Sequence, residues 1–142
     1  MLVASLKTKS GILSTGVYNT QVGGYMPCPI LPGGKFEFTI TASKGTYLSF
    51  ASMFGQSNDL FFAPPDMGIE LWKGNIPNSG DVTSQIMVWD DGTEVDEYPG
   101  AGNHQPARGP GGMVESKPIV PVMDKFVYPS ISNLIKVTIT PL

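Results

Sequence analysis

Hydrophobic and polar residues alternate strictly from Lys35 to Ala42. Phe36, Phe38, Ile40 and Ala42 fall on one side, and Lys35, Glu37, Thr39 and Thr41 on the other. A period of two with aromatic and β-branched residues predicts a half-buried strand. Ser43-Lys44-Gly45 reads as a tight turn, and Thr46–Phe54 as a second strand, apolar on both faces and therefore central in its sheet. Residues 35–54 are thus expected to form a β-hairpin. Residues 55–67 are rich in turn formers and predict a loop, Gly68–Trp72 a short strand, and Lys73–Gly80 another turn. Val82–Trp89 carries Ile86, Met87 and Val88 into an acidic segment, and residues 98–118, with five Gly and four Pro, predict a long loop. Leu134–Thr140 alternates again, with Ile135, Val137 and Ile139 inward. The first 34 residues hold no carboxylate and are broken by Gly and Pro into loop and short extended pieces. No helical period of useful length and no internal repeat is present. The pattern predicts an all-β chain: an antiparallel β-sandwich with long Gly/Pro-rich loops.

Composition sharpens this reading. The chain of 142 residues suits one domain, and its 17 Gly and 13 Pro argue against a helical bundle, where each costs about 1 to 3 kcal/mol relative to Ala. Apolar residues make up 41% of the chain, enough to supply a core. A net charge of −3 and a pI near 4.9 speak against a nucleic-acid binder that relies on phosphate neutralisation. Cys28 is the one cysteine, so neither an intrachain disulfide nor a thiolate metal cluster is available. No apolar run approaches the length of a transmembrane segment, and no secretion signal is visible at the start, although a processed chain would not retain one.

The densest chemical signal is Asp90–Glu97, which holds five of the twelve carboxylates in a chain otherwise poor in charge. Like charges in one loop repel unless solvent or a cation screens them. The available ligands are oxygens and His104 is the only histidine, which suits Ca2+ better than zinc, copper or iron. A solvated acidic turn is the plainer alternative.

The run Trp89-Asp90-Asp91-Gly92-Thr93-Glu94 resembles the Trp-Asp-Ala-Gly-Thr-Asp signature of the spondin domain, the module of the F-spondin N-terminal region. Bacterial spondin-domain proteins are similar over roughly residues 15–142, through PGGKFEFTITA, LSFASMFGQSNDLFFAP, GDVTSQIMVWDDGTEV, YPGAGNHQPARG and IKVTITP. The resemblance implies a single spondin-like domain over 1–142, a β-sandwich like that of calcium-dependent membrane-binding domains, and one bound calcium. It places the metal ligands on Asp59, Asp90 and Glu94, with Glu94 one methylene longer than the Asp of the F-spondin form. It also implies that the family's opening strands are absent or shortened here. On that view an open sheet edge either invites a strand from another chain, for example by exchange of Gly11–Ile30, or is closed locally by Val3–Leu6.

Catalysis is poorly served. His104 has no nucleophile signature beside it, Cys28 sits between prolines as a small hydrophobe, and Gly109-Pro110-Gly111-Gly112 lacks the Lys and Ser/Thr of a phosphate loop. Asp59 with Glu94 would be the only glycosidase-like carboxylate pair, and a shared calcium explains the two more simply. Trp72 and Trp89 admit a carbohydrate-stacking role besides core packing. The expected protein is a non-catalytic, calcium-binding module at the cell surface or outside the cell, serving adhesion, matrix or surface assembly through a protein or matrix partner or through self-association. A carbohydrate-binding β-sandwich module is the alternative.

Overall fold

Leu60–Ala63, four apolar residues bracketed by turn formers, is a central strand of the largest sheet. The computed structural model describes residues 2–105, 111–123 and 125–142. In chain order its elements are helix α1 (Leu2–Leu6), then strands β1 (Tyr47–Leu48), β2 (Ser52–Met53), β3 (Leu60–Ala63), β4 (Ile69–Glu70), β5 (Trp72–Lys73), β6 (Ile76–Pro77) and β7 (Gly80–Asp81). A 3-10 turn at Thr83–Gln85 follows, then β8 (Met87–Asp90), β9 (Val120–Pro121), helix α2 (Ile131–Leu134) and β10 (Thr138–Ile139). Every strand pairing among the described residues is antiparallel. The fold is therefore all-β, as the alternation and the Gly/Pro punctuation predict.

The chain divides into two compact units, Met1–Ala42 and Ser43–Leu142. In the first, α1 leads into turns and extended pieces, and Tyr18 stacks on Phe38 with ring centroids 4.2 Å apart. Val22 N–H donates to Lys35 O and Cys28 N–H to Asn19 O. Several large apolar side chains of this unit stand in solvent, Tyr25 almost completely (99% exposed).

The second unit carries the core. Phe62, Ile69, Val82 and Ile86 are buried together, and Leu48, Phe50, Phe54, Val88, Leu134, Ile135, Val137 and Ile139 pack against them. Its four-stranded sheet runs β2-β3-β8-β9, with Phe61 opposite Trp89 and Leu60 opposite Asp90. Along β3, Leu60 and Phe62 are buried while Phe61 and Ala63 are half-buried, so one face of the strand points at the core. Three two-stranded sheets complete the unit: β1 with β4, β7 with β10, and β5 with β6. In the last, Gly74-Asn75 makes a two-residue turn in which Gly74 has φ +63°, the left-handed conformation such hairpins need.

Four expectations are corrected. Residues 35–42 form no strand and no hairpin with 46–54. Backbone partners decide the outcome: Tyr47–Leu48 is taken by Ile69–Glu70 and Ser52–Met53 by Phe61–Phe62. Second, 46–54 is not one central strand, because β2 lies at a sheet edge and the centre belongs to β3 and β8. Third, residues 55–67 are not all loop; the turn formers flank a short buried strand whose apolar run is too brief to show a period. Fourth, Leu2–Leu6 is helical, so Val3–Leu6 does not close a sheet edge. Of the expected long loop, residues 106–110 lie outside the described residues, as do Gly109 and Pro110 of the Gly-Pro-Gly-Gly turn. The inward face of 134–140 is as expected: Ile135, Val137 and Ile139 pack on the core and Lys136, Thr138 and Thr140 are exposed.

Candidate metal centre

The β2–β3 turn delivers the first carboxylate. Phe54 N–H donates to Leu60 O at 2.9 Å, and the buried Ser57 hydroxyl donates to Phe54 O at 2.6 Å, which fixes the loop leading to Asp59. The β3–β8 register then sets Leu60 opposite Asp90, so Asp59 and Asp90 arrive at the same end of the sheet. Asp91 N–H donates to Asp59 O at 3.3 Å and ties the two strand ends together.

Beyond Asp90 the chain turns on Gly92, which has φ +73°. A Cβ there would lie 2.5 Å from Lys117 O, so only glycine fits this close approach. Asp90 Oδ1 accepts from Gly92 N–H at 2.7 Å and shapes the turn. The loop next folds over Asp59: its Oδ2 accepts from Thr93 N–H (2.7 Å), the Thr93 hydroxyl (3.0 Å) and Glu94 N–H (2.8 Å). Its Oδ1 is buried with no hydrogen-bond partner among the described residues, and Asp59 is only 4% exposed.

Asp59, Asp90 and Asp96 each present one carboxylate oxygen within 4.8 Å of the other two. Asp90 is buried, and that burial pushes its carboxyl above the ordinary carboxylate value; the Gly92 N–H opposes the shift, and the neighbouring Asp59 and Glu115 charges add to it. Two buried acids and one half-buried acid bring oxygens to one spot that could hold a hard cation.

Of the expected ligands, Asp59 and Asp90 are brought together and Glu94 is not among the converging oxygens. Glu94 contributes its backbone N–H to Asp59, while its Oε2 accepts from Asn58 Nδ2 (3.2 Å) and Gly112 N–H (3.3 Å). Its carboxylate thus holds Gly112, at the start of residues 111–117, a strap laid along the acidic loop. Val95 N–H donates to Met113 O, Glu115 N–H to Thr93 O and Lys117 N–H to Gly92 O, with an antiparallel bridge between Glu94 and Val114. Asp96 takes the third corner instead. Its membership of the acidic segment is the only sign of it in the sequence.

On the face of β3 and β8 away from the core, Phe61 and Trp89 stack, with centroids 6.4 Å apart and planes 18° from parallel. Trp89 Nε1–H donates to Ala63 O at 3.2 Å and locks the indole. With Ser49, Pro64, Pro65, Asp66 and Ile119 they line a cleft of about 220 Å³. His104 is occupied elsewhere: Glu97 accepts its backbone N–H at 2.9 Å and meets its Nδ1 at 3.0 Å. Those contacts, the backbone one first, hold the Glu97 carboxyl below the usual range.

No family model, no curated protein and no solved structure matches the chain.

Proposed function

We propose that the protein is a non-catalytic, calcium-binding module of spondin-like β-sandwich type that works outside the cell or at its surface in adhesion, matrix or surface assembly. The observation that carries this reading is the buried Asp59 Oδ1, without a hydrogen-bond partner among the described residues and beside oxygens of Asp90 and Asp96. A buried carboxylate oxygen with nothing to bind costs free energy that a cation would offset. All the ligands are oxygens, three carboxylates leave a charge of about −1 around a dication, and carbonyls or water complete a shell of about six to eight. Calcium fits that chemistry, and fluids outside cells supply it. The exposed apolar side chains of the first unit, Tyr25, Leu13, Met26 and Leu31 among them, support a role in assembly. Titration calorimetry with calcium on chelator-treated protein tests the proposal: one saturable site supports it, and no heat and no thermal shift refute it.

A second reading, a carbohydrate-binding module, is favoured by the Phe61–Trp89 pair. Two near-parallel aromatic rings beside the cleft offer apolar surface for the C–H face of a pyranose, and Ser49 with Asp66 supplies hydroxyl partners at the rim. Glycan-array binding that is lost in Trp89→Ala, in a protein that still binds calcium, would establish it.

A further inference from the structure

Two halves of an unmade ladder lie in this chain. Residues 35–42 keep the alternation of a strand, yet residues 36–42 make no backbone hydrogen bond to any described residue. The segment 46–54 that follows is bonded along one side only. Leu71 N–H donates to Thr46 O at 3.0 Å and Phe54 N–H to Leu60 O at 2.9 Å. With the registers of β1 on β4 and β2 on β3, these bonds turn the backbone groups of Thr46, Leu48, Ser52 and Phe54 towards those partners. Tyr47 and Met53 turn theirs the other way. Among the described residues, neither they nor Ser49 and Ala51 find a backbone partner on that side. Nothing on the free edge repels a further strand: residues 46–54 hold no charge, no Pro and no Gly. Other edges are guarded, β6 and β9 by Pro77 and Pro121, β5 and β7 by Lys73 and Asp81.

The turn between the two segments explains why the chain does not pair them itself. Lys44-Gly45 is a two-residue turn in which Thr46 N–H donates to Ser43 O at 3.3 Å. A hairpin built on that turn pairs Ser43 with Thr46 and faces Thr46 and Leu48 towards the preceding strand. Those are the groups already given to β4, so the turn sets the wrong parity for the free edge. We infer that residues 35–42 are a donor strand for the free edge of residues 46–54 in a second copy of this chain. A strand from another copy is not bound by that turn and meets the edge in the parity that Tyr47 and Met53 present. Both rows of unpaired N–H and C=O groups are then satisfied. Reciprocal exchange closes a two-fold dimer, and one-way donation runs on as a chain of copies. The inference gives the assembly role proposed above its partner and its surface. It uses none of the proposed calcium ligands, so the two stand or fall separately.

Light scattering and amide exchange from low to high micromolar concentration, in the presence of chelator, test this. The parent should reach at least twice the mass of one chain. The amides of residues 36–42 should exchange about tenfold or more slowly in the associated species than in the free chain. Thr39→Pro combined with Ile40→Pro removes two neighbouring N–H groups, one of which faces the edge in either register. Met53→Pro removes an outward N–H and spares the bonds of Ser52 and Phe54. Each of these proteins should remain a single chain. Mixed together they should give a two-chain particle, because one keeps its edge and the other its donor. Should Met53→Pro unfold, Met53→Lys charges the same edge without touching the backbone and gives the same readout. Tyr25→Ser, at an almost fully exposed position outside both segments, should associate as the parent does. A parent of single-chain mass throughout overturns the inference, whether residues 36–42 exchange fast or are protected within one chain. So does association that survives both sets of variants, or a mixture that restores nothing.

Discussion

Leu60, with no exposed surface, stands directly across the β3–β8 ladder from Asp90. The residue next to it in sequence, Asp59, carries the orphaned carboxylate oxygen, so packing in the interior and ligand placement depend on one cross-strand pair. Leu60→Ala should therefore cost about 2 to 5 kcal/mol in denaturant unfolding and also weaken calcium binding. Ile69→Ala, equally buried but paired with Leu48 in another sheet, should cost a similar amount and leave calcium affinity alone. Chemical denaturation with calorimetry on both variants separates the two effects.

Ligand binding to the native state stabilises it by mass action, about 2.7 kcal/mol when free calcium is a hundred times its dissociation constant. Chelator should accordingly lower Tm by several degrees. Asp59→Asn, Asp90→Asn and Asp96→Asn should each abolish the difference between chelated and loaded protein. Glu94→Gln should retain it, because that carboxylate holds Asn58 and Gly112 rather than the cluster. A Glu94→Gln protein blind to calcium, beside an Asp96→Asn protein that still responds, would reverse the assignment of the third ligand.

Gly92→Ala tests the turn itself. The new methyl meets Lys117 O in a backbone conformation that L side chains rarely adopt, so destabilisation of about 1 to 3 kcal/mol or more is expected. Amide exchange should quicken at Lys117, Glu115 and Val95, whose N–H groups hold the strap.

A pH effect is expected away from the acidic loop. The Asp81 carboxyl lies below its ordinary value of 3.8 because the Thr83 hydroxyl and then the Thr83 N–H, 2.9 Å from Oδ1, favour its ionised form. A group depressed in this way binds fewer protons folded than unfolded, so its contribution is complete above pH 3.8 and is lost as pH falls through the folded value. Asp81→Ala should lower Tm at pH 6, and the gap to the parent should narrow below pH 3.8. A gap that stays constant down to pH 2 would contradict this account.

The all-β class was legible because alternation and Gly/Pro punctuation are local signals. So were Asp59 and Asp90, each set at the end of an apolar run, LFF and IMVW, that becomes a strand. Pairing was not legible. The alternation at 35–42 satisfies the period of a strand yet pairs into no sheet among the described residues, and the four residues of β3 are too few to announce themselves. That Glu94 lies outside the group of converging carboxylates was not legible either. Glu94 is drawn aside by Asn58 and Gly112, which lie 36 and 18 positions away, and no local pattern carries that information.

The three hydrogen bonds that residues 93 and 94 place on Asp59 Oδ2 have a kinetic consequence. They lock the loop over Asp59 during folding, so the entropy of closing it is not charged to ion capture. On the calcium reading proposed above, an arriving ion would shed water and meet oxygens already positioned, without waiting for a rearrangement of the chain. For the proposed calcium site, association is expected to be set by dehydration of the ion, and substitutions around the cluster to register chiefly as changes in residence time.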